Sequence, residues 1–245
     1  METGIAKSTI KKTSLGNSHR FLLICGILSS VLYVVMNIIA PVNYPGYDPV
    51  SQTVSELSAI DAPTRSLWVP LGFVYTLLVA FFGWGIWQSA EHNRYLRIGG
   101  ALLLTYGLIG LGWPPMHQRE VLAAGGGTFT DTMHIVYSMV TVLLMLLTMW
   151  FTSKGLDKHF HYYSVVSVSM LIILGTWTGL QAPRLQQNMP TPWLGLVERV
   201  LIFIFLVWIV VLAIILLKTK NGNHKPSGEK SKEFIGSGKR DKIVG

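Results

Sequence analysis

Residues 195–217 read GLVERVLIFIFLVWIVVLAIILL, and every side chain from Val200 to Leu217 is hydrophobic. A helix that is apolar all round has no face to offer water, so it belongs in a core or a bilayer. At about 1.5 Å of rise per residue the stretch covers roughly 30 Å, the thickness of a bilayer's hydrocarbon layer. The reading is a membrane-spanning helix.

The same pattern recurs upstream. Apolar runs of spanning length occupy residues 21–40, 67–87, 96–113, 132–151 and 163–180. The expected fold is all-α: a six-helix transmembrane bundle over residues 21–217, between a basic N-tail (1–20) and a C-tail (218–245) rich in Gly, Lys and Ser, a composition that stays disordered. Half of the 245 residues are hydrophobic and only 13% are charged, where a soluble domain carries about a quarter. The net charge of +8 would point to nucleic acid in a soluble protein. Here the basic residues crowd the tails, so topology accounts for them and no nucleic-acid partner is expected. The single cysteine, Cys25, lies inside the first run and excludes an intrachain disulfide or a Cys-x-x-Cys metal motif.

Six spans place both tails on one side. Arg65, Arg119, Arg184 and Arg199 fall on the other side, and the remaining sixteen of the 20 lysines and arginines share the side of the tails. The positive-inside rule then puts both termini in the cytoplasm and the protein in the cell membrane. The middles of the runs hold no Asp, Glu, Lys, Arg or His, which argues against an ion-coupled pump.

The long connections, 42–66, 114–131 and 181–194, all fall on the outer face, and long loops in a compact fold tend to carry function. In the first, Asp48-Pro49 reads as the start of a short amphipathic helix. Val50, Val54 and Leu57 form its apolar face, and Ser51, Ser55 and Ser58 a hydroxyl stripe beside it. In the second, Thr128 and Asp131 have capping-box spacing at the start of the fourth span. Asp131 and His134 share a helix face, and His117 closes the third span at a similar depth. In the third, Thr191-Pro192 reads as the cap of the sixth span. Glu198 and Arg199 lie one or two turns inside it and should turn toward the bundle or its mouth. Ion pairs are expected there, Glu198 with Arg65 or Arg119 with Glu56.

These residue types support two chemistries. Ser55, Asp131 and His134 are candidate catalytic residues, with His134 as a general base oriented by Asp131. His117, Asp131 and His134 are candidate metal ligands, two imidazoles and a carboxylate of the kind that hold zinc with one position open. Glu56, Arg65, Arg119, Glu198 and Arg199 are candidate binding residues. Plain structural roles compete at each position: small serines allow close packing, Asp131 caps a helix, and charges pair. Two functions therefore stand side by side. One is a binding site for a membrane lipid, an envelope component or a membrane-protein partner. The other is a metal- or His-dependent hydrolase acting on lipid at the outer leaflet. A passive carrier of neutral solutes is compatible with the uncharged spans but has no residue of its own to recommend it.

Six spans, Ser55-Glu56-Leu57-Ser58 after the first, His134 opening the fourth, and Gly195-x-x-Glu198-Arg199 opening the sixth resemble the bacterial and archaeal membrane family called domain of unknown function 998. The likeness covers about residues 20–217. Where that family often has Gly after Ser-x-Leu, this chain has Ser58. The resemblance implies the bundle fold and a plasma-membrane home, and brings no activity with it.

Overall fold

The computed structural model describes residues 16–222, and the side chains up to residue 219. The basic N-tail up to residue 15, and the C-tail from residue 223 with its expected disorder, lie outside the described residues. Eight α-helices follow in order: α1 Asn17–Val42, α2 Arg65–Ser89, α3 Arg94–Gly110, α4 Arg119–Ala123, α5 Phe129–Lys154, α6 Lys158–Leu180, α7 Ala182–Gln186 and α8 Leu194–Gly222. A five-residue 3-10 helix, Val54–Ser58, sits between α1 and α2. No strand occurs among the described residues.

The six-helix bundle is confirmed. Five of its helices are long and apolar enough to cross a membrane: α1, α2, α5, α8, and α6 taken together with α7. The sixth, α3, has 17 residues and rises about 25 Å, at the short end of spanning lengths. It stops at Gly110 because the chain turns out at Leu111-Gly112 ahead of Pro114 and Pro115, where residues 113–118 are non-helical. The apolar run extends to Trp113, so the helix stops three residues short of the end of the run. At the other extreme α8 runs on to Gly222, so the helix outlasts the apolar run.

The six long helices close into a ring in which each packs on its neighbours in sequence, and α8 returns to α1. The tightest joint is α2 against α3. A methyl group on Gly107 would meet the Ala80 backbone nitrogen at 2.6 Å, so the helices touch backbone to backbone, as small residues allow in membranes. On the other side of the ring the core is aromatic. Trp208 of α8 is fully buried, stacks on Phe205 and donates from Nε1 to Ser164 Oγ of α6 at 2.8 Å. Helix α6 is the least buried of the spans, and α5 and α6 are the most loosely joined neighbours in the ring.

The two ends of the ring differ. At the end of the tails, short turns interlock: Asn93 caps α3 and donates from Nδ2 to Gly155 O at 2.7 Å. At the opposite end the three long connections fold over the mouth of the ring and bond to one another.

Candidate functional site

The lid over the mouth is built around Arg199. Its Nη1 donates to the carbonyls of Pro49 (2.8 Å), Gln52 (3.1 Å) and Gly195 (3.0 Å), and its Nη2 donates to Tyr47 Oη at 2.6 Å. Tyr47 in turn donates to Thr53 O at 2.7 Å. Burial pushes the Tyr47 phenol well above its ordinary pKa, against the opposing pull of Arg199, so it stays a neutral donor. A side chain at position 195 would fall on the Gln52 and Pro49 carbonyls, which is why glycine stands there. Leu196 N completes the joint by donating to Val50 O at 3.0 Å.

These bonds overturn the helix start expected at Asp48-Pro49. Asp48 does accept from Val50 N (3.0 Å) and Ser51 Oγ (2.6 Å). One turn closes there, Gln52 N donating to Asp48 O at 2.8 Å, but it goes no further, and the carbonyls of residues 49 and 52 accept from Arg199. The helix begins at Val54 instead, as a 3-10 turn with Thr53 and Glu56 in a capping box. Val54, Glu56 and Leu57 are all buried, so this segment plugs the mouth of the ring.

Glu56 points across the plug to Arg119 at the start of α4. Arg119 Nε and Nη2 donate to its two carboxylate oxygens at 2.7 and 2.8 Å, with side-chain exposures of 10% and 4% for Arg119 and Glu56. Burial alone would lower the Arg119 pKa, but the bond to Glu56 and its charge outweigh this and raise it. Arg119 Nη1 reaches Thr191 Oγ1 (3.2 Å), which donates to Ser51 O at 2.9 Å. Thr191 thus stitches the three connections together and does not open α8. Trp193 turns with φ 71° and the helix starts at Leu194. Of the two expected ion pairs, Arg119 with Glu56 forms. Glu198 and Arg65 bond to backbone instead: Glu198 Oε2 accepts from Val54 N at 2.8 Å, and Arg65 Nη1 donates to Ser58 O.

The three candidate catalytic residues do not form one line. His134, buried to 5% exposure, has its Nδ1 2.8 Å from Pro114 O and its Nε2 3.1 Å from Ser55 Oγ. A carbonyl can only accept, so Nδ1 carries the proton and Nε2 is left to accept from the serine hydroxyl. Trp113 packs edge-on against the imidazole at 5.3 Å. Asp131 lies three residues away but turns to His117, which donates to it from its backbone N (2.7 Å) and from Nδ1 (2.9 Å). Thr128 N (2.7 Å) and Thr128 Oγ1 (2.9 Å) complete the capping box expected at the start of α5. The role of orienting His134 expected of Asp131 therefore falls to the Pro114 carbonyl. The zinc set is corrected for the same reason. Asp131 is committed to the cap and to His117, His134 to Ser55 and Pro114, and among the described residues no three His, Cys, Asp or Glu side chains are grouped to hold a metal ion.

Beneath the plug lies a cavity of about 1220 Å³ that opens in part to the outside of the ring, where the exposed Phe129, Met139 and Leu143 border it. Ser55, Arg65, His134 and Glu198 line its lid end, and Met145, Leu146 and Phe205 line its deeper part. Both Arg65 and Glu198 are half-buried, and each keeps polar atoms without a hydrogen-bond partner among the described residues. Gly175 and Gly179 of α6 form part of the wall, and a methyl group on Gly179 would meet nothing within 4 Å. The parts that sequence reasoning missed are Tyr47, the stitching role of Thr191, the Pro114 carbonyl and the cavity itself. Tyr44 and Tyr47, stacked at 5.4 Å, were the one visible sign of a packed loop, since paired aromatics are wasted on a slack one.

The family model described as "Protein of unknown function (DUF998)" matches residues 27–215. No curated protein and no solved structure matches the chain.

Proposed function

Since the chain belongs to the DUF998 family, whose description assigns no activity, we propose a function from the site itself: this membrane protein takes one lipid-like amphiphile into the ring. The observation that carries this reading is the cavity's polarity gradient. Its lid end offers the Arg65 guanidinium and the Glu198 carboxyl group, each with unpartnered polar atoms, and its deeper part is aliphatic and aromatic. That pattern matches a headgroup carrying both charges, or hydroxyl donors beside a phosphate, above an alkyl tail. The volume of about 1220 Å³ exceeds the roughly 300–1,000 Å³ of ordinary small-molecule pockets. A concave apolar space favours an alkyl chain over an envelope polymer or a partner protein. The loose α5–α6 joint beside Gly175 and Gly179 supplies a lateral portal from the bilayer. With the basic tails in the cytoplasm by the positive-inside rule, the lid faces outward from the cell membrane and the bound headgroup lies at the outer leaflet.

The test is native mass spectrometry of protein extracted in mild detergent. The wild-type chain should carry one retained lipid per molecule. Gly179→Trp, which fills the portal, should lose it while keeping its melting temperature, and Glu198→Gln should change the headgroup distribution. Wild-type protein free of lipid at equimolar level overturns the reading.

A further inference from the structure

We propose that Ser55 and His134 form a nucleophile–base pair that hydrolyses a carboxylic ester of the amphiphile held in the cavity. This rests on the lipid-binding reading and adds chemistry to it.

Three observations carry the inference. The first is the pair's geometry: the Oγ–Nε2 separation is 3.1 Å, and the Pro114 carbonyl fixes the tautomer that a general base needs. The second is position. Ser55 is half-buried and lines the lid end of the cavity, beside its polar residues and above its apolar part. In a glycerolipid the ester linkage occupies that same level, between headgroup and tail. The third is redundancy. The lid is already held by Arg199, by the Glu56–Arg119 pair and by Thr191, so the Ser55–His134 bond is not required to dock it.

The step balances with water as the only co-reactant. Ser55 Oγ attacks the ester carbonyl carbon while His134 Nε2 takes the hydroxyl proton. The carbonyl π pair moves to oxygen, and Arg65 lines the same cavity. The C–O bond to the alcohol then breaks and the alcohol leaves with the proton from Nε2. Water attacks the acyl-serine, His134 accepts one of its protons, and the acid departs as that proton returns to Ser55. Throughout, the Nδ1 proton remains on its bond to Pro114 O and stabilises the imidazolium.

The full-length protein is treated in detergent with an alkyl fluorophosphonate, which captures activated serines, and the adduct is mapped by peptide mass spectrometry. The expected result is a single adduct at Ser55, formed at least about 100-fold faster than on any other hydroxyl. Ser55→Ala should abolish the adduct and His134→Gln should slow it by a similar factor. In water enriched in ¹⁸O, wild-type protein mixed with phosphatidylethanolamine vesicles should release fatty acid carrying one heavy oxygen. Wild-type protein that gives no Ser55 adduct, or releases no fatty acid, overturns the inference. Retained lipid in that case leaves the binding reading standing, and its absence removes both. Because the adduct is mapped on wild-type protein, the test holds even where a variant fails to fold.

Discussion

Glu56 and Arg119, 63 residues apart in the chain, face each other through two bonds of 2.7 and 2.8 Å in a nearly sealed space. One belongs to the plug after the first span and the other to the connection after the third. Their pairing fixes where both connections sit over the mouth. It also places Ser55, the neighbour of Glu56, opposite His134.

Removing one member of this pair leaves the other charge buried and unpaired. Arg119→Met should lower the stability of the detergent-solubilised protein by about 3–5 kcal/mol. The double variant Glu56→Gln with Arg119→Met should lose less, because no stranded charge remains. Thermal unfolding of the single and double variants checks both statements.

Arg199 makes four hydrogen bonds in a fan that a lysine cannot reproduce. Arg199→Lys keeps the charge but should loosen the lid, at a cost of about 1.5–3 kcal/mol for each charged hydrogen bond lost without replacement. Faster proteolysis within residues 43–64 would register this, and an unchanged cleavage rate would contradict it.

Gly195→Ala tests the same joint from the other side, since the added methyl group strikes the Gln52 and Pro49 carbonyls. A Leu57→Cys reporter, placed where the native side chain is fully buried, should resist a water-soluble maleimide in the parent. It should react once Gly195→Ala is added.

The α2–α3 contact tolerates no side chain at Gly107, where a Cβ meets the Ala80 backbone nitrogen at 2.6 Å. Gly107→Ala should cost about 1–3 kcal/mol through overpacking. Gly179→Ala, in open space on α6, should be neutral or stabilising by up to about 1 kcal/mol, the usual helix gain of Ala over Gly. Melting temperatures of the two variants should therefore move in opposite directions or differ clearly.

Orientation is checked in intact cells on a background with Cys25→Ser. A cysteine at the exposed Val50 of the lid should react with an impermeant maleimide added outside. One at the exposed Lys158, at the end of the tails, should react only after the cells are opened. The reverse pattern would place the lid in the cytoplasm.

By itself the sequence determined the solvent and the fold class. Lipid exposure demands unbroken apolar runs of about 20 residues, and 200–217 and its counterparts leave no other reading. It also revealed the Thr128–Asp131 capping box, because capping is local and its partners lie three residues apart. It offered the Arg119–Glu56 pair only as one of two alternatives, since nothing local says which charge reaches which. Three matters were decided by tertiary structure alone. Arg199 captures the carbonyls of residues 49 and 52 from 147 to 150 residues away, and the plug helix starts at Val54 instead of Asp48. His117 draws Asp131 away from His134 and leaves the Pro114 carbonyl to orient the imidazole. The closing of the six long helices into a ring creates the cavity. Each depends on which backbone carbonyl or charge happens to lie within about 3 Å of a donor once the helices have packed. That is a distance between distant parts of the chain, and hydrophobic periodicity carries no record of it.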